Sequence, residues 1–185
     1  MAGFFSAVPL EPPNSILGLA LTCKQDPFPD KIDLTIGAYR NDQGKPEVLP
    51  CVREAEALVH AQAPDHEYLS QDGLPEFNRC SQILLFGSAD SAVLAAGRVF
   101  TIQSISGTGS LRLACDFIKA QLGDRTVYYP ETTWPNHPTI LASSHCQHAT
   151  YRYLDASGVS LDFAAMLNDI SAAPEGGRCC CYCGC

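Results

Sequence analysis

The stretch "SISGTGSLRLACDFI", residues 104–118, decides how the chain is organised. Leu111, Leu113, Ala114, Phe117 and Ile118 recur at helical spacing, so one face can bury while Arg112, Asp116 and Lys119 stay in water. A helix is predicted from about Gly107. Upstream, residues 98–104 (RVFTIQS) are β-branched and aromatic and read as a buried strand. Ser106-Gly107-Thr108-Gly109 is then a strand-to-helix turn. Such a turn suits an anion: the first amides of a helix lack internal partners, that end is electropositive, and glycine permits close approach. Ser106 and Thr108 add two hydroxyls. The same residue types also cap ordinary structural helices, and on these residues alone that reading stays open. The pattern is neither GxxxxGK[ST] nor GxGxxG, which favours a simpler phosphate over a nucleoside triphosphate or a dinucleotide.

Downstream the periods alternate. A strand at Thr126–Tyr129, a helix after Pro135, a strand at His148–Leu154 and a helix at Asp162–Ile170 imply parallel strands joined by crossovers, an α/β arrangement. Ligands of such sheets collect beyond the carboxyl ends of the strands, where both Ser106–Thr108 and the loop Thr133-Trp134-Pro135-Asn136-His137 fall. Trp134, the one tryptophan, can stack on a flat ligand or anchor against the sheet edge. His137 can be a ligand contact or a hydrogen-bonded histidine at a helix start. Tyr68 can be functional or plain packing.

Upstream, the first dozen residues with Pro9, Pro12 and Pro13 read as an extended arm, and Asn14 or Ser15 caps a short helix. Lys31–Gly37 alternates as a strand, with a turn around Asp42-Gln43-Gly44. Pro50 opens a helix to about Gln62, with Cys51, Ala55, Leu58 and Val59 inward. Another helix runs from Gly73-Leu-Pro-Glu to Gly87.

The 185 residues are 46% hydrophobic and 17% charged, which is globular composition with enough chain for a real core. A net charge of −8 without a basic patch argues against nucleic acid. No apolar run spans a bilayer, and the start lacks a basic region ahead of an apolar one, so a cytoplasmic protein is expected. Of ten cysteines, Cys23, Cys51, Cys80, Cys115 and Cys146 are dispersed and read as reduced core thiols, while five crowd the last seven residues.

Four motifs occur in order: "IDLTIGAYRNDQGKPEVLPCV" (32–52), "EYLSQDGLPEFNRCSQILLFG" (67–87), "QSISGTGSLRLACDFI" (103–118) and "TTWPNHPTILASS" (132–144). Together they resemble the aspartate aminotransferases, class I pyridoxal-phosphate enzymes of fold type I, from Phe4 to about Ala173. The resemblance implies a three-layer α/β fold with a mainly parallel sheet. It divides the chain into an arm (1–13), a small-domain portion (14–48), the first part of the cofactor-binding large domain (49–175) and an aberrant tail (176–185). It implies pyridoxal 5'-phosphate as cofactor, amino-acid and 2-oxo-acid substrates and a homodimer, with no nucleic-acid or membrane partner. By the same resemblance Ser106, Gly107 and Thr108 cradle the cofactor phosphate, and Trp134 stacks on the pyridine ring. His137 supports the carboxylate at the ring nitrogen, and Tyr68 reaches the phosphate of the neighbouring subunit's cofactor. Ile36 and Gly37, with Trp134, border the substrate.

The family also needs a Schiff-base lysine, a carboxylate for the ring nitrogen and arginines for the substrate carboxylates. Lys24, Lys31, Lys45 and Lys119 are the lysines here, and none matches the catalytic position. No catalytic residue is therefore assigned, and weak or absent cofactor binding by this chain alone is expected. Where the family has an apolar central strand, this chain reads Cys-Cys-Cys-Tyr-Cys-Gly-Cys (179–185). A truncated chain with an out-of-frame, disordered tail is expected, with no functional metal, since the spacing lacks paired C-x₂-C knuckles. The alternative is a noncatalytic dimerisation or interaction module, or a nonproductive truncated product.

Overall fold

The computed structural model describes residues 3–10, 15–174 and the backbone of 179–180. Its contacts separate two units, Met1–His66 and Glu67–Gly184.

In the first unit, α1 (Ser15–Gln25) and α2 (Pro50–Gln62) are joined by turns. Pro50 sits at the first turn of α2, where its missing N–H costs nothing, and Ala63 closes the helix in the left-handed region at φ 43°. The Lys31 ammonium donates to the carbonyls of Cys23 (2.6 Å), Lys24 (3.2 Å) and Asp26, placing positive charge on the electronegative end of α1. The strand predicted over Lys31–Gly37 does not form. Asp33 Oδ1 instead accepts the N–H (3.0 Å) and hydroxyl (2.5 Å) of Thr35, a local turn that competes with any ladder. The turn expected around Asp42-Gln43-Gly44 is present. Asn41 Oδ1 accepts from the amides of Gln43 and Lys45, Gly44 takes φ 70°, and Arg40 bridges Pro46. Residues 3–8 make successive turns, Ser6 N–H to Gly3 O and Val8 N–H to Phe5 O, rather than running straight as an arm. Cys51, Ala55, Leu58 and Val59 are exposed, contrary to the inward face expected of α2.

The second unit contains α3 (Pro75–Phe86), α4 (Ala92–Ala95) and α5 (Ser106–Phe117), the last extended by a π-helical turn, Ile118–Leu122. There follow β1 (Thr126–Pro130), α6 (Asn136–Ser143), β2 (Gln147–Tyr151), α7 (Phe163–Ala172) and β3 (Cys179–Cys180). The strands lie in the order β2-β1-β3, all parallel, with Thr126 opposite Gln147 and Val127 opposite Cys179. The expected α/β architecture with a parallel sheet is observed. Residues 98–104 were predicted as a strand and are not one. Their pattern suits a strand, but no neighbour supplies a ladder among the described residues, and Phe100 is left 78% exposed.

The tail also departs from expectation. Its first two cysteines pair with Val127 and Tyr128 as β3, so residues 179–180 are sheet and not disordered chain. Cys181, Cys183 and Cys185 lie outside the described residues.

The core is small and sits where α5 and α6 meet β1. Cys115, Ile118, Val127, Ile140, Leu141 and Cys146 form it, with Leu111 and Tyr129 packed against its margin. Val127 has no exposed surface, and full burial of such a side chain stabilises by about 1.5–3 kcal/mol. Cys115 and Cys146 are the core thiols expected, the Cys146 thiol reaching Cys115 O at 3.3 Å, whereas Cys51 and Cys80 are exposed. Asp162 caps α7 by accepting from Ala165 N–H at 2.9 Å. Asp169 of α7 clamps the residue after β2: it accepts from Arg152 N–H, Nε (both 2.9 Å) and Nη2 (2.6 Å), and these bonds hold its carboxyl down at about 2.

Candidate cofactor-binding site

A link of three residues, 123–125, turns the helical segment back into β1. The seventeen residues of α5 and its π-helical extension span about 25 Å at about 1.5 Å each, and five of β1 about 16 Å, so the start of α5 returns to the carboxyl end of β1 and somewhat beyond it. Packing agrees: Leu111, early in α5, shares a cavity with Tyr129, late in β1. The loop holding Trp134 leaves β1 at that same edge.

Ser106 opens α5 at φ 55°, a left-handed conformation uncommon for a residue with a Cβ. No side chain caps this end. The first main-chain bond of the turn runs from Gly109 N–H to Ile105 O at 3.1 Å, which leaves the amides of Ser106, Gly107 and Thr108 ahead of it without helical acceptors. All three residues are exposed, and the space a Cβ would take at Gly107 is open to at least 4 Å. Open amides and two hydroxyls at one helix start are groups that could hold a phosphate. Gly109 serves packing instead, since a Cβ there would meet Ser104 Oγ at 3.3 Å.

Trp134 and His137 flank the same edge. The half-buried indole meets the imidazole edge-on with centroids 5.5 Å apart, and His137 N–H donates to Trp134 O at 3.0 Å. Thr133 Oγ1 lies 2.6 Å from His137 Nδ1, fixing the ring through one nitrogen. The other, Nε2, is buried with no hydrogen-bond partner among the described residues. Burial holds His137 below the ordinary imidazole value, which favours its neutral form. With Nδ1 engaged by Thr133 Oγ1, Nε2 is the ring position left to meet a further polar group. His137 also lines the cavity of about 10 Å³ with Leu111, Cys115, Tyr129, Ile140 and Leu141, tying its position to α5.

Tyr68 belongs to the same unit but is 97% exposed, so it packs in no core of this chain. Ile36 and Gly37 fall in the first unit, both exposed, on a tight turn closed by Ala38 N–H to Ile36 O. Lys119 pairs with Asp124 beyond the far end of α5, away from the open amides. Sequence reading missed two features: the left-handed Ser106 and the partners of Gln103. No local pattern marks either.

Comparison with known proteins converges on one family. The model of the family described as aminotransferase class I and II matches residues 29–185. The cytoplasmic aspartate aminotransferase of Dictyostelium discoideum is 45% identical over 177 residues, 95% of this chain and 40% of that protein. The aspartate aminotransferase structure from Saccharomyces cerevisiae cytoplasm superposes with a TM-score of 0.79 at 40% identity, covering 93% of this chain and 42% of that one. An aromatic-amino-acid aminotransferase of Burkholderia pseudomallei, solved covalently bound to pyridoxal phosphate, gives 0.80 at 34% identity, covering 92% and 42%. The chain thus spans about two fifths of the length of the relatives it matches. No helix among the described residues is long and apolar enough to cross a membrane.

Proposed function

The chain belongs to the aminotransferase class I and II family, and from that premise we propose that it provides the cofactor-phosphate cradle of an aspartate aminotransferase. The full reaction in this reading moves an amino group between L-aspartate and 2-oxoglutarate. One observation carries it: the uncapped start of α5, with three open amides behind a left-handed Ser106, at the sheet edge that also displays Trp134 and His137.

Ser106, Gly107 and Thr108 would bind the phosphate through amides and hydroxyls, with the helix end adding positive potential. Trp134 would cover one face of the ring and exclude water from it. The unpaired Nε2 of His137 would orient a carboxylate toward the ring nitrogen, with Thr133 holding the imidazole still. When bound, pyridoxal phosphate supplies the electron sink for charge left at the substrate α-carbon. Moving the proton at that carbon needs a lysine, and none of the four here matches the family's catalytic position; Lys119, the one in the second unit, is paired with Asp124 beyond the far end of α5. These 185 residues alone therefore bind cofactor weakly and do not turn over. Ile36 and Gly37 are proposed to border substrate in the complete enzyme. A second copy is the proposed partner, touched by the residue 3–10 segment and by Tyr68, which reaches that copy's phosphate; the exposure of Phe4, Phe5, Leu10 and Tyr68 supports this.

The test is a titration of pyridoxal phosphate read by the fluorescence of Trp134, the chain's one tryptophan. Quenching that weakens in Thr108→Val and is competed by inorganic phosphate supports the reading. Quenching indifferent to both overturns the cradle. Oxaloacetate formed from aspartate and 2-oxoglutarate at a family-like rate would overturn the assignment of inactivity.

A further inference from the structure

Gln103 stands three residues before Ser106, and its interactions run to a segment some thirty residues away. Its N–H donates to Asp72 O at 3.0 Å, and its side-chain Oε1 accepts from Leu74 N–H at 2.9 Å. Between those two contacts lies Gly73, buried, with φ 89°. A Cβ on Gly73 would stand 2.3 Å from Gln103 Cβ and 2.7 Å from Oε1, so only glycine lets the two strands of chain close to this distance.

The rest of the turn is fastened to α3. Asn78, a buried polar side chain in the first turns of that helix, donates Nδ2 to Asp72 O at 2.8 Å, making Asp72 O a double acceptor. Ser70 Oγ donates to Gly73 O at 2.8 Å, and Gly73 N–H returns to Ser70 O at 2.9 Å. One turn further along α3, Gln82 Nε2 donates to Thr101 Oγ1 at 2.9 Å, holding the segment that carries Gln103. Tyr68 sits just ahead of this turn, and the left-handed Ser106 just beyond Gln103. The two elements assigned to phosphate contact are thus connected through one side chain and one glycine.

We infer that Gln103 is a positioning residue that couples the Ser106–Thr108 cradle to the Tyr68 turn, so that an anion held at the cradle is felt at the Leu74 amide. The inference rests on the cradle reading. If Tyr68 serves a neighbouring subunit's cofactor, the coupling links one cradle's occupancy to the other. A purely structural clamp would hold the turn equally well with the cradle empty or filled, and that difference is what an experiment can read.

Amide hydrogen exchange at Gly73 and Leu74 is measured on the full chain with and without pyridoxal phosphate, beside Trp134 fluorescence as an independent report of binding. Pyridoxal phosphate is expected to slow exchange at Leu74 in the native chain. In Gln103→Ala, exchange there should quicken by about tenfold, the scale of one net hydrogen bond, and lose its response to the cofactor while Trp134 is still quenched. Gln103→Glu keeps an acceptor for Leu74 N–H and should restore the response. Quenching of Trp134 with unchanged Leu74 exchange in the native chain overturns the coupling and leaves the cradle intact. Absence of quenching refutes the cradle, and the coupling falls with it. Should Gln103→Ala fail to fold, the native and Gln103→Glu chains decide the matter: a native response that the Glu variant lacks overturns Oε1 as the link.

Discussion

The two units hold themselves together by different means. In Met1–His66 no described residue is buried, and local polar contacts do the shaping: Lys31 on the end of α1, Asp33 around Thr35, Asn41 around its turn. In Glu67–Gly184 a parallel sheet and two helices enclose the core around Val127. The contrast teaches that α2, amphipathic in sequence, has in the first unit no apolar surface to close upon, whereas α5 and α6 in the second have each other and β1. Sequence sets which face could bury; a neighbour decides whether it does.

The sharpest attempt to break this contrast is Val127→Asp. An unpaired charge at a site with no exposed surface should unfold the second unit outright, seen as loss of the cooperative urea transition. Leu141→Ala should lower the stability of that unit by about 2–5 kcal/mol in the same measurement. If either variant melts like the native chain, the core has been misplaced. Next in size is deletion of residues 179–185, which strips β3 from β1. Consecutive amides of a strand face opposite neighbours, so exchange should quicken at whichever of the Val127 and Tyr128 amides faces β3, while that of the other, and those of Ala149 and Thr150 in β2, change less.

A smaller effect is expected from pH. Asp169 has its carboxyl lowered to about 2 by Arg152, against 3.8 unperturbed. A lowered folded value means the clamp contributes fully above pH 3.8 and is lost as pH falls through about 2. Arg152→Ala should flatten the stability profile across that window and leave it unaltered in slope above pH 5. A native profile already flat below pH 4 would show the clamp to be idle. The smallest change is Leu34→Ser in the first unit: at 86% exposure it should shift stability by no more than about 0.5 kcal/mol, and a larger loss would reveal packing that the contrast denies.

Legibility in the sequence follows the same division. Helix ends were plain where one residue fixes them, as Pro50 at the start of α2, Gly87 in the left-handed position after α3 and Asp162 capping α7. The strands β1 and β2 were found within a few residues. Residues 31–37 and 98–104 were misread because β propensity describes a residue's fitness for a ladder and is silent on whether a partner exists. Cys179 and Cys180 were misread the other way, a strand formed by register with β1 despite unpromising side chains. At the candidate site, residue types singled out Ser106–Thr108, Trp134 and His137 with ordinary capping and packing readings beside them, and the family resemblance supplied the roles proposed above. The left-handed Ser106 and the Gln103–Gly73 closure were invisible, since one is a backbone angle on an ordinary serine and the other a contact between residues thirty apart.

The strand order β2-β1-β3 sets a schedule for biosynthesis. β1 lies in the middle of the sheet, yet it emerges first. Its partner β2 follows within about twenty residues, but Cys179 is made about fifty residues after Val127. At about 5–20 residues per second the far edge of β1 waits some 3–10 s on the ribosome with its amides and carbonyls unclaimed. During that interval α5, α6 and β2 are the protection available to Val127, the most buried of the described residues. Crowded polysomes place many such nascent edges side by side, and a slower codon between 151 and 179 would lengthen the time in which two of them can find each other.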